Sequence, residues 1–122
     1  MNWFKFAKDF SKRNTVNEKI RYLEAVKQDL ESIGKLIFQS GKNAKATNYK
    51  IISSSKITSY PSLHETLIMA DSLALDSPWK FAGLCVEGIG KINILIKTLK
   101  KEREELTYGK TKNNMKGWVD ER

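Results

Sequence analysis

DSPWKFAGLCVEGIGKINILIKTLKKEREEL, residues 76–106, carries the clearest helix-start signal in the chain. Ser77 can cap a helix, and Pro78 at the first helical position gives up an N–H that would be unpaired there in any case. From that start Phe81, Leu84, Cys85, Gly88, Ile92, Leu95, Ile96 and Leu99 recur at three- and four-residue intervals. The spacing predicts a helix over 78–106 that stops at Tyr108-Gly109. Trp79, Val86 and Ile94 widen its apolar arc, so a second neighbour and a place near the centre of the fold are expected. Gly83, Gly88 and Gly90 each cost about 1 kcal/mol of helix propensity relative to alanine, which points to a close helix crossing or a kink.

Upstream of this helix the same two signals, cap and period, recur. Pro61 precedes Ser62, and Ser62 with Glu65 has the spacing of a capping box ahead of Leu63, Leu67, Ile68, Ala70, Leu73 and Leu75. A helix over 63–75 follows. Residues 41–61 are ambiguous, with Lys42, Lys45, Lys50 and Lys56, the serine run 53–55 and no acidic residue. Alternation of Tyr49, Ile51 and Ile57 would fit a hairpin, whereas Ala44, Ala46, Ile51 and Ile52 fit a poorly packed helix started by Asn43, which is the reading preferred. Thr15 and Glu18 form a second capping-box pair. They are expected to open a long helix over 16–40 through Ile20, Leu23, Val26, Leu30, Ile33, Leu36 and Ile37, with Gly41 as its C-terminal stop. Before it, Trp3, Phe4, Ala7 and Phe10 predict a separate short amphipathic helix over 2–13, and residues 109–122 read as a basic and aromatic tail.

The expected fold is therefore all-α: one domain over 1–108, built as an irregular bundle of four or five helices, two of them long, with a basic connector and a short C-terminal tail. At 122 residues the chain suits one continuous core. Two prolines and seven glycines leave too little punctuation for a many-stranded sandwich. Cys85 is the only cysteine, which rules out an intrachain disulfide and a multi-cysteine zinc site, and a reducing cytoplasmic home is expected. Lys5, Lys8 and Asp9 interrupt the start where a secretory signal needs an apolar run. No stretch approaches the roughly 20 apolar residues that a membrane span requires.

Charge is the most informative property for function. Lysine and arginine number 22 against 14 acidic residues, a net charge of +8. The excess is concentrated in the first 22 residues and in 41–60, while the segment after Pro61 carries only acids, Glu65, Asp71 and Asp76. Such asymmetry favours a polyanion. Lys5, Lys8, Lys12, Arg13, Lys42, Lys45, Lys50 and Lys56 are the candidate phosphate contacts, with Tyr49 and the serines at 53–55 adding stacking or hydrogen bonds. Arginine stands only at positions 13, 21, 103 and 122. That argues against base-specific readout, because guanine is most often read by a bidentate arginine. The expectation is a small non-enzymatic accessory protein that binds nucleic acid largely without regard to sequence, of the kind a phage or mobile element encodes.

The rival expectation uses the aromatic termini. Trp3, Phe4, Phe6 and Phe10 among lysines have the pattern of a basic amphipathic helix that lies on an anionic bilayer or in a partner's groove. Met115 and Trp118 offer a second anchor. An immunity-type inhibitor, an assembly subunit or a peripheral membrane protein would use them so, and the glycines and broad apolar arc of 78–106 would suit a homo-oligomer. The bland alternative is that the N-terminal aromatics pack on the protein's own core.

Catalytic and metal chemistry finds little support. His64 is the only histidine, so two-histidine zinc motifs are excluded and no triad partner stands out. Gly109-Lys110-Thr111 resembles the end of a phosphate loop, but Glu104 occupies the position of the required glycine and a charged helix precedes it. Gly88-Ile89-Gly90-Lys91 lacks the flanking strand. No enzyme activity, cofactor or metal is expected.

Overall fold

The computed structural model describes residues 3–37 and 39–106. Among them the protein is all-helical, with α1 (Trp3–Leu36), α2 (Gly41–Ile52), a 3-10 turn (Ser55–Ser59), α3 (Pro61–Leu73) and α4 (Pro78–Glu104). A π turn at 105–106 follows α4. Two of the four helices are long, α1 with 34 residues and α4 with 27. The tail at 109–122, with Met115 and Trp118, and the helix stop at Tyr108-Gly109 lie outside the described residues.

Three of the expected boundaries are corrected, each for a local reason. The chain does not break between residues 13 and 16. Thr15 Oγ1 donates back to the Ser11 carbonyl at 3.1 Å, four residues upstream, so its hydroxyl serves a helix interior and caps nothing. The predicted short helix and long helix are one, α1. Gly41 is likewise no C-terminal stop. A stop glycine is chosen for positive φ, and no described residue has one. α1 closes instead through Ser40 N–H to Leu36 O at 2.7 Å, and Ser40 caps α2 by accepting the Asn43 N–H on its hydroxyl at 3.4 Å. α2 thus starts before Asn43, and far from being poorly packed it buries Ala44, Asn48 and Ile51 at i, i+4, i+7 spacing. The third correction concerns Ser62, which is not a cap. Proline's fixed φ and missing N–H place Pro61 at the first position of α3, and the Tyr60 carbonyl accepts the first helical N–H, from His64, at 2.9 Å. At the start of α4 the Ser77 carbonyl accepts from Phe81 N–H at 3.0 Å, as the Ser77-Pro78 signal requires.

The chain divides into two compact units, one formed by Leu23–Ile94 and the other by the chain up to Tyr22 together with the chain from Leu95. In the larger unit, α1 and the residue after it bury Leu23, Val26, Leu30, Ile33 and Ile37, an unbroken alternation of three- and four-residue steps. α3 contributes Leu63, Leu67 and Ala70, the 3-10 turn Ile57, and α4 Phe81, Cys85 and Ile92. α3 packs against both α2 and the 3-10 turn. Gly88 is the crossing glycine that the sequence anticipates: a Cβ there would lie 3.2 Å from Leu67, 3.4 Å from Leu30 and 3.5 Å from Leu63, so α1 and α3 close on α4 at this point. In the smaller unit the buried side chains are Val16 and Ile20 of α1 and Ile96 and Leu99 of α4, and Arg103 Nη1 donates to Asn17 Oδ1 at 3.0 Å.

α4 is not enclosed on two sides. Trp79, Val86 and Ile94 are each 66% exposed, and Gly83 and Gly90 face open space with nothing within 4 Å of an added Cβ. The broad arc of apolar residues covers the core on one side and meets solvent on the other.

Candidate functional site

Among the helices of the larger unit, α2 carries three lysines and no acid. At 3.6 residues per turn Lys42, Lys45, Tyr49 and Lys50 fall within an arc of about 140°. That arc is centred opposite Ala44, Asn48 and Ile51, so burying the apolar stripe turns the lysines outward. Lys42 and Lys50 are exposed, Lys45 borders the buried side, and the ring of Tyr49 is 61% exposed among them. Lys56 is exposed on the 3-10 turn. No acidic residue lies in α2 or in that turn. The helix expected in this basic connector is present, and it carries one lysine-rich face.

In the smaller unit Lys5, Lys8 and Lys12 are exposed and share one side of α1 by their spacing. Arg13 is half-buried and turned by its position toward the side of Val16 and Ile20. The aromatics do not form a core: Trp3, Phe4 and Phe10 are 68%, 90% and 54% exposed. The bland expectation that they pack inward is corrected. Among the described side chains the inward stripe of α1 begins at Val16, and Trp3, Phe4 and Phe10 fall roughly on the other side of the helix. The side chain of Phe6 lies outside the described residues.

Two polar arrangements inside the larger unit have no counterpart in the sequence reading. Lys91 Nζ donates to Thr66 Oγ1 at 2.7 Å, to Ser62 Oγ at 2.8 Å and to the Ser62 carbonyl at 3.3 Å, while Thr66 Oγ1 donates to the same carbonyl at 3.0 Å. The ammonium thereby ties α4 to the first turns of α3, with Glu87 at 3.8 Å balancing its charge. These partners are separated by 25 to 29 residues, beyond the reach of any local pattern. Asn48 is fully buried and its Nδ2 donates to the Leu67 carbonyl at 2.9 Å, whereas Oδ1 has no hydrogen-bond partner among the described residues. Here a signal existed, since Asn48 lies four residues after Ala44 on the apolar face.

Of the reactive side chains, Cys85 is buried, and that burial pushes its thiol up to about 12, so it is protonated and shielded at neutral pH. His64 is half-buried in the first turn of α3. Among the described residues no three His, Cys, Asp or Glu side chains gather as a metal site, and no helix is long and apolar enough to cross a membrane. Compared with protein-family models, curated proteins and solved structures, the chain matches none of them.

Proposed function

We propose that the protein is a non-enzymatic accessory factor that binds the phosphate backbone of nucleic acid through the outward face of α2. The observation that carries this reading is the gathering of Lys42, Lys45 and Lys50 around the exposed Tyr49 on a helix without a single acid. Lysines of this kind neutralise phosphates as point charges and release counterions, so affinity should depend on salt far more than on base sequence. Lys56 extends the same basic segment, and Lys5, Lys8 and Lys12 supply a second cationic face in the other unit.

The test is a salt titration of binding to generic duplex and single-stranded oligonucleotides. Each lysine that neutralises a phosphate on a duplex contributes about 0.9 to the slope of log affinity against log salt. Replacing Lys42, Lys45 and Lys50 by glutamine should cut that slope by roughly three units. Absence of binding at low salt, or a slope untouched by the triple replacement, would refute the reading.

A second reading has an observation of its own. The exposed Trp3, Phe4 and Phe10, with Lys5, Lys8 and Lys12 on the neighbouring side of α1, form a face suited to an anionic bilayer. Co-sedimentation with vesicles containing phosphatidylserine, compared with neutral vesicles, measures it.

A further inference from the structure

From the outer face of α4 we infer that the protein pairs with a second copy of itself, antiparallel, through residues 79–94. Trp79, Gly83, Val86, Gly90 and Ile94 share an arc of about 80°. The three large side chains are each 66% exposed, and the two glycines between them open onto empty space. Large apolar groups spaced along a helix with notches are costly to leave in water, and their order makes the face complementary to itself. With a two-fold axis crossing α4 between residues 84 and 85, Trp79 lies over Gly90 of the second copy and Val86 over Gly83 of the second copy. Trp79 and Val86 then each enter a notch, twice by symmetry, while Ile94 lies beyond the second copy's α4. The absence of a Cβ at both glycines lets the helices approach to the short end of the usual 8–10 Å.

Charge supports the same register. In this pairing Lys80 falls beside Glu87 of the second copy, offset by two residues or about 3 Å along the axis. The pair forms on the same flank of both copies. Glu87 can serve it alongside its own ion pair with Lys91, because its side chain is 55% exposed and Lys91, 3.8 Å away, directs its N–H groups to Ser62 and Thr66. A parallel arrangement would put Lys80 and Glu87 of the second copy on opposite flanks and form no such pair. The strip is short, below the area of a standard stable interface, so the dimer is a weak one that forms at high protein concentration.

Sedimentation equilibrium of the full chain from about 10 μM to about 1 mM reads the association directly. Gly83→Leu and Gly90→Leu fill notches that are open within one chain, so helicity and melting should be retained while the dimer weakens at least about tenfold in each. Lys80→Glu and Glu87→Lys should each weaken it as well, and the double exchange should restore it. A chain that stays monomeric at about 1 mM overturns the inference, as does a dimer indifferent to both glycine variants. A double exchange that fails to restore association overturns the antiparallel register.

Discussion

The buried carboxamide of Asn48 sets a different cost for each way of replacing it. Its Nδ2 donates to the Leu67 carbonyl, and its Oδ1 accepts from no donor among the described residues, so the group is half compensated. Asn48→Leu removes donor and orphaned oxygen together at similar volume and should leave stability within about 1 kcal/mol of the parent. Asn48→Asp puts an uncompensated carboxylate against a carbonyl and should cost about 3 kcal/mol or more, with recovery on acidification. Urea titration of the three proteins at pH 5 and pH 8 checks both statements. Cys85 has the same sign with respect to pH, at a higher range. Its thiol is pushed up to about 12 from 9.0 by burial, so the folded state holds the proton more tightly than the unfolded chain. The contribution of the group is complete below pH 9 and is lost as pH rises from there through 12. Native protein should resist iodoacetamide at pH 8 and react once denatured, and Cys85→Ala should flatten the alkaline fall in stability.

At the level of elements, caps decide where helices begin, and two of the hydroxyls involved can be told apart by truncation. Thr15→Ala would cost about 1 kcal/mol if Thr15 capped a helix. In the interior of α1, where its hydroxyl bonds back to Ser11, the exchange should instead stabilise by a few tenths of a kcal/mol through better propensity. Ser40→Ala removes a true cap and should cost about 1 kcal/mol. Thermal melts of the two variants should therefore move in opposite directions. The same residues show what was legible. The period of Ile20 to Ile37 and of Phe81 to Leu99 disclosed both long helices and their inner faces, because burial repeats with the helix turn whatever the partner is. Capping pairs were less informative, since Thr-x-x-Glu is also an ordinary helix interior when neither proline nor glycine interrupts it, and Ser-Gly closes one helix or opens the next according to φ. Tyr49 and the lysines of α2 could be listed from sequence. Their common face could not be, until Ala44, Asn48 and Ile51 were seen to be buried together.

Across the whole molecule, a net charge of +8 made a polyanion partner the natural expectation. Two things lay outside the reach of that arithmetic: the division into two units, since periodicity names a buried face without saying where along a helix its neighbours change, and the exposure of the N-terminal aromatics, which share their spacing with core residues. Those aromatics allow the nucleic-acid and membrane readings to be separated by one truncation. Among the described side chains before Asp9, namely Trp3, Phe4, Lys5, Ala7 and Lys8, all are exposed, and the first buried one among the described side chains of α1 is Val16. Removing residues 1–8 should consequently shift the melting temperature by less than about 2 °C. If phosphates are held by α2, the truncated protein keeps most of its salt-dependent affinity for oligonucleotides and loses only the share of Lys5 and Lys8, about one unit of slope for each that neutralises a phosphate. If the basic aromatic face of α1 serves an anionic surface, binding to phosphatidylserine vesicles disappears while the fold is intact, because the apolar area that enters the headgroup layer goes with Trp3 and Phe4. Loss of both activities with an unchanged melt would place the polyanion contacts on α1 and remove α2 from the site.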